Sequence, residues 1–176
     1  MSVPVLHTFV VGEVATASNI DNNTVTAVGF LLAPPRVQLR QTVVQSLANN
    51  THPAITFDTE DIDSDNAHST VTNTSRVTPV TTGWWRCSGA VGYAGNATGR
   101  RAAQWALNGT ALNGGQILIF SGGGNPLGIP AVTRDIFVNG TTDFIELFGF
   151  QDSGAALNTD VGAQQALLVA AWAASP

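Results

Sequence analysis

Lysine is missing from this sequence altogether, and every positive side chain is an arginine: Arg36, Arg40, Arg76, Arg86, Arg100, Arg101 and Arg134. Acidic residues outnumber them, for a net charge of -5. A broad phosphate-binding surface needs clustered positive charge, so this composition argues against nucleic acid as a partner. Cysteine is nearly absent as well. Cys87 stands alone, which rules out an intrachain disulfide and any zinc site built on several thiolates. Within the apolar run 84–93 it reads as a small buried hydrophobe. No stretch approaches the roughly 20 apolar residues that span a bilayer. The opening Met1-Ser-Val-Pro-Val-Leu-His lacks the basic start and apolar centre of a signal peptide. These absences predict synthesis in a cytoplasm and no membrane partner. The Asn-x-Ser/Thr triplets, such as Asn96-Ala-Thr and Asn108-Gly-Thr, then read as turn chemistry and not as glycan sites.

Catalytic constellations are missing too. Ser88-Gly89 and Ser121-Gly122 lack a Gly-x-Ser-x-Gly frame. The run Gly122-Gly123-Gly124 has no following lysine to make a phosphate loop. His7, His52 and His68 show no metal-ligand spacing. Glu146 and Asp152 supply the two carboxylates a glycosidase needs, but nothing in the sequence pairs them. The expectation is a protein that is not an enzyme and has no cofactor.

What the sequence has is glycine, valine, threonine, alanine and asparagine, the composition of short strands joined by tight turns. Two segments differ in period. In residues 1–35 the apolar Ile20, Val28, Leu31 and Leu32 recur at roughly helical spacing, with Thr16 or Ser18 as N-cap and Asp21 near the helix start. Pro34-Pro35 stops that helix, since neither donates a backbone hydrogen bond. β-branched Thr24, Val25 and Thr26 weaken it, so it needs a partner surface. It reads as a docking arm using Val14, Ile20, Val28, Leu31 and Leu32, or as a helix packed on its own domain.

Residues 36–176 have period two. Val37, Leu39, Gln41 and Val43 share one strand face, opposite Gln38, Arg40 and Thr42. Further strands are predicted at 55–57, 68–80, 84–93, 101–107, 116–120, 132–138, 143–150 and 165–172, with Asn108-Gly109 and Asn139-Gly140 as turns. Such spacing indicates an all-β sandwich, with a jelly roll leading. The Thr-rich stretch 68–80 offers little to a monomer core and suits an interface.

The acidic run Asp58-Thr-Glu60-Asp61-Ile-Asp63-Ser-Asp65 is the one feature with metal chemistry. Asp61, Asp63 and Asp65 alternate as hard-oxygen ligands would for Ca²⁺. An EF-hand is excluded, because Asn66 stands at the glycine position and Thr72 at the bidentate glutamate position. A looser calcium site stays open, beside a solvated acidic turn or one paired with Arg76 or Arg100-Arg101. His68 is either a ligand to that run or a hydrogen-bonding residue inside its own segment.

Several motifs carry a family resemblance. They are Pro34-Pro35-Arg36-Val37-Gln38-Leu39-Arg40-Gln41, the acidic run from Ile55, His68-Ser-Thr-Val-Thr-Asn-Thr-Ser-Arg76, Gly83-Trp84-Trp85, Gly99-Arg100-Arg101, Val138-Asn139-Gly140 and Gln151-Asp152-Ser153-Gly154. Together they resemble phage and bacterial versions of the complement-type globular head, a relative of the tumour-necrosis-factor jelly roll. The run Val11-Gly12-Glu13-Val14-Ala15-Thr16-Ala17-Ser18-Asn19-Ile20 is similar to Gly-Glu-x-x-Thr-Ala openings of phage structural proteins. Its Asn19-Ile20 reverses the usual order there.

The resemblance implies a homotrimer on the virion surface, held to other capsid or tail proteins by the arm. His68, Thr70, Arg76, Arg100 and Arg101 are its candidate trimer-interface residues. A capsid decoration protein is one implied function, and a tail or fibre head binding cell-surface glycan is the other.

Overall fold

In the computed structural model, which describes residues 3–121 and 123–176, a short helical arm precedes a set of antiparallel strands. The strands are β1 (Arg36–Arg40), β2 (Ser46–Leu47), β3 (Thr59–Asp63), β4 (Gly83–Tyr93), β5 (Arg100–Leu107), β6 (Thr110–Ala111), β7 (Ile117–Phe120), β8 (Leu127–Val138), β9 (Ile145–Gln151), β10 (Leu157–Asn158) and β11 (Leu167–Ala174). One sheet has five strands in the order β3-β1-β11-β4-β8. In a second, β5 is central, with β9 along one edge and β6 and β7 sharing the opposite edge, and β2 pairs with β10 as a separate two-stranded ribbon. Non-sequential neighbours in both sheets are what a jelly roll requires.

Between the sheets lie Trp85, Trp105, Tyr93, Phe57, Leu147 and Leu168, all buried. Each indole N–H finds a carbonyl: Trp85 Nε1 donates to Thr81 O at 3.0 Å and Trp105 Nε1 to Val132 O at 2.9 Å. That satisfies the polar end of a large buried ring. Cys87 is buried among them, and the loss of solvent pushes its thiol up to about 12.

The longest strand departs from simple alternation. Cys87 pairs with Arg134 but Gly89 pairs with Ala131, so β8 carries one extra residue between them. This bulge reverses the parity of the strand. Ile129 and Ala131 before it, and Ile136 and Val138 after it, are all buried as a result. Pro130 sits on β8 where the sheet ends, a place for a residue with no N–H to give.

Four expectations are corrected. Val43 does not continue the buried face of Val37, Leu39 and Gln41, because β1 ends at Arg40. Beyond it, Asp58 takes the amides of Thr42 and Val43, which removes them from any ladder. The acidic run is an edge strand, β3, and not a loop. Residues 68–80 form no strand: they turn repeatedly, Asn73 has a positive φ, and Val77 makes an isolated bridge to Ile145. Residues 55–57 are bound irregularly, Ile55 to Leu147 and Phe57 to Thr74, without a regular strand.

In the arm, Thr16 is the N-cap, its hydroxyl accepting from Asn19 N at 3.2 Å. Helix α1 (Ala17–Asp21) passes through a π-helical turn, Asn22–Thr26, into α2 (Ala27–Leu32). The widened turn falls on the β-branched residues that weaken the helix. Residues before the helix fold back on it: Asn23 exchanges two hydrogen bonds with the His7 backbone, and His7 Nε2 meets Glu13 Oε1 at 2.6 Å. Phe30 alone of α2 is buried.

Candidate assembly surface

A strand packed on one face alternates apolar and polar residues, as β4 does at its start: Trp85 and Cys87 point in while Trp84 and Arg86 are exposed. Strand β11 does not alternate. Leu168 and Ala170 enter the core, yet Leu167, Val169 and Ala171 on its other face are equally apolar. A continuous apolar strand is the pattern of burial on both sides. Here the second side is the outer surface of the five-stranded sheet.

Register extends this strip sideways. Val169 pairs with Ser88 and Leu167 with Ala90 on β4, small residues that leave the strip flat. Trp84 and Phe137 stand outward nearby, edge to face with ring centroids 5.6 Å apart. Charge enters beside the strip, since Ala171 pairs with Arg36 on β1 and with Arg86 on β4. Arg40 and Gln38 on β1 hold Asp61 of β3, with Arg40 Nε at 2.8 and 2.7 Å from its two oxygens. Arg86 grips Asp135 at the other side, through Nε at 2.9 Å and Nη2 at 3.0 Å. These hydrogen bonds from arginine hold both carboxyls below the usual aspartate range. An apolar strip with Arg40 and Arg86 paired beside it is a surface that another protein can cover.

Residues singled out in the sequence fall in different places. The three aspartates of the acidic run do not converge. Asp61 faces Arg40, Asp63 accepts the amides of Asp65, Ala67 and His68, and Asp65 accepts from the Thr81 hydroxyl at 3.2 Å. Among the described residues, no group of three His, Cys, Asp or Glu side chains is placed to hold a metal. The arginine that pairs with the run is Arg40, on Asp61, while Arg76 lies by Glu146 and Arg100 by Asp152.

The interface candidates divide likewise. His68 has no exposed side-chain surface, with Nδ1 2.9 Å from Glu60 Oε1 and Nε2 3.1 Å from Thr74 O. Arg101 is also buried, because strand parity turns it inward with Ala103 and Trp105. Its guanidinium donates to the Arg100 and Asn96 carbonyls and lies 6.0 Å from the centroid of the Tyr93 ring. Both side chains are enclosed within the chain itself. Arg100 points outward and is bound to Asp152. Thr70 is exposed, and Arg76 lies 4.0 Å above the Phe144 ring. Glu146 accepts from the Ser75 hydroxyl at 2.7 Å, so it and Asp152 are engaged separately.

The segment 66–78 shapes an open cup of about 200 Å³ lined by Asn66, His68, Ser69, Thr72, Asn73 and Arg76. The arm forms the second exposed apolar region. Val14, Ile20, Val28, Leu31 and Leu32 are all exposed, and a cavity between Leu32, Ile62 and Ala171 connects the arm with the outer sheet face. No described helix is long and apolar enough to cross a membrane.

A scan against protein-family models finds no match, and a search of curated proteins finds no significant one. Solved structures do match in shape. The Eiger TNF of S. frugiperda is 10% identical, with a TM-score of 0.53 over 81% of this chain and 95% of that one. Murine APRIL at pH 8.0 is 11% identical, with a TM-score of 0.55 over 78% of this chain and 98% of that one. At such identity the likeness shows the fold alone: the chain is an all-β jelly roll of tumour-necrosis-factor type, preceded by a short N-terminal helix.

Proposed function

We propose that this chain is a non-enzymatic structural protein of a bacteriophage virion, decorating the capsid surface as a homotrimer. The observation that carries the assembly is β11, apolar on both faces when the monomer buries one fully and the other only in part. A second copy seated on Leu167, Val169 and Ala171 removes that surface from water. Closed threefold symmetry satisfies every such face at once. The phage setting and the trimer rest on the likeness of the head motifs and of residues 11–20 to phage structural proteins. Exposed Val14, Ile20, Val28, Leu31 and Leu32 support the arm as the segment that docks on other capsid or tail proteins. On this reading the protein is made in the host cytoplasm and ends on the particle.

The polar cup at residues 66–78 favours a second reading, a receptor-binding head on a tail or fibre that recognises cell-surface glycan. Both readings share the fold and the trimer. Gold-tagged antibody against residues 36–176, applied to intact particles, separates them. Gold over the capsid supports decoration, gold at the tail tip supports adhesion, and bare particles overturn both.

A further inference from the structure

We infer that the cup formed by residues 66–78 is a binding site for one carboxylated sugar residue. This deepens the second reading, on which its biological meaning rests. Size selects the ligand first. About 200 Å³ is well below the roughly 300–1,000 Å³ of sites for drug-sized molecules and cofactors. One sugar ring with its substituents is the scale that fits.

The lining selects further. Asn66, Ser69, Thr72 and Asn73 offer amide and hydroxyl groups, which suit ring hydroxyls as both donors and acceptors. Arg76 is the only lining group with a fixed charge. Its Nε is 3.8 Å from Glu146 Oε1 and its guanidinium is stacked on Phe144. Among the described residues its two terminal nitrogens donate no hydrogen bond, so the planar fork is available for a carboxylate. A phosphate site would instead gather several cations or a nest of backbone N–H groups, and the cup has one arginine among amide and hydroxyl side chains.

Four carboxylates lie close by, and each is already engaged. Glu60 is on His68, Asp63 on three backbone amides, Asp65 on Thr81 and Glu146 on Ser75. None of them lines the cup. The same bonds make the cup rigid: His68 is tied at both ring nitrogens, to β3 and to Thr74. A site held in shape before binding loses little on ordering.

The test is a titration of the full-length protein, followed by amide chemical shifts, with sodium galacturonate and separately with galactose. Galacturonate is expected to shift amides of residues 66–78 saturably with a Kd of ~1–10 mM, and galactose to bind at least ~5-fold more weakly. Arg76→Gln removes that preference. Should Arg76→Gln fail to fold, Arg76→Lys keeps the charge without the fork and is expected to weaken galacturonate ~3-fold while leaving galactose unchanged. No saturable shift in 66–78, or galacturonate binding unchanged in the arginine variants, overturns the inference. A bare cup on a trimeric, particle-bound head overturns it while leaving the proposed assembly standing.

Discussion

Phe30 of α2 meets Trp172 of β11 edge to face, ring centroids 4.8 Å apart and planes at 81°. Trp172 is itself fixed, its Nε1 donating to Thr82 O at 3.1 Å. The helical arm therefore hangs on the head through an aromatic hinge at the end of the strand that also carries the apolar outer strip. Phe30→Ala removes the contact and leaves the head core untouched. Amides of residues 17–32 are expected to exchange ~10-fold faster, about 1.4 kcal/mol of local opening, with the main melting transition unmoved. A fall of more than about 5 °C in that transition would make the arm part of the head's cooperative core.

The outer strip is tested at its centre. Val169 lies between Gln38 and Ser88, facing out of the sheet. Val169 is half-buried, so a carboxylate there costs a lone chain on the order of 1 kcal/mol. Repeated in each copy of a buried interface, it places unpaired charges away from water and costs several kcal/mol. Val169→Glu is thus expected to sediment as a folded monomer at micromolar concentration, where the parent sediments as a trimer. Val43→Glu, at an exposed loop position, is the control and should stay trimeric. A parent that sediments as a monomer, or a Val169→Glu variant that remains trimeric, defeats this interface.

Much of the fold was legible because period-two burial is written residue by residue. The core ends of β4, β5, β9 and β11 fall inside predicted strands, and Cys87 is buried as its apolar run implied. The losses have specific causes. Thr and Val favour strands locally, but residues 68–80 are held in turns by bonds to the nearby Asp63 and Glu60 and to the distant Glu146, which strand propensity does not announce. The Arg100-Arg101 doublet supplies two interface candidates, although parity with Trp105 already separates the outward arginine from the inward one. For the assembly surface, the signal was the run Leu167-Leu-Val-Ala-Ala-Trp172, apolar at both parities. Phe30 was hidden because its neighbours Leu31 and Leu32 are as apolar, and only Trp172 chooses among them.

Acid is expected to destabilise the head, and the sign follows from four aspartates. Arg40 lowers Asp61, Arg86 lowers Asp135 and the Arg100 backbone amide lowers Asp152, all from an ordinary value of 3.8. Burial raises Asp58, but bonds from the Thr42 hydroxyl and the Val43 and Thr42 amides outweigh it, and its shift is downward too. A carboxyl depressed in the folded state contributes stability in full above its unfolded value and loses it as the pH falls through the folded one. The urea midpoint should therefore drop as pH is taken from about 5 to about 2. Part of the effect should weaken in ~1 M salt, since the Arg40 and Arg86 pairs are solvent-facing. A midpoint indifferent to acid would show that these bonds do not distinguish folded from unfolded chain.

The bulge in β8 gives the sharpest test of how this sequence specifies its fold. One residue of β4, Ser88 between Cys87 and Gly89, opposes two of β8, Val132 and Thr133 between Ala131 and Arg134. Thr133 lies within the bulge and is exposed, so Thr133→Ala should change stability by no more than about 0.5 kcal/mol. Deleting Thr133 is a different operation. It restores uninterrupted alternation, and then either Ile129 and Ala131 or Ile136 and Val138 must turn to solvent. Each choice exposes a fully packed Ile together with a smaller apolar partner, a loss of about 3–6 kcal/mol. That is a large share of the roughly 5–15 kcal/mol that holds a domain of this kind. The deletion is expected to lose near-ultraviolet circular dichroism and cooperative melting, while the alanine variant keeps both. A deletion variant that melts with the parent would mean that β4 and β8 can slip register freely, and that the extra residue does not set which side chains enter the core.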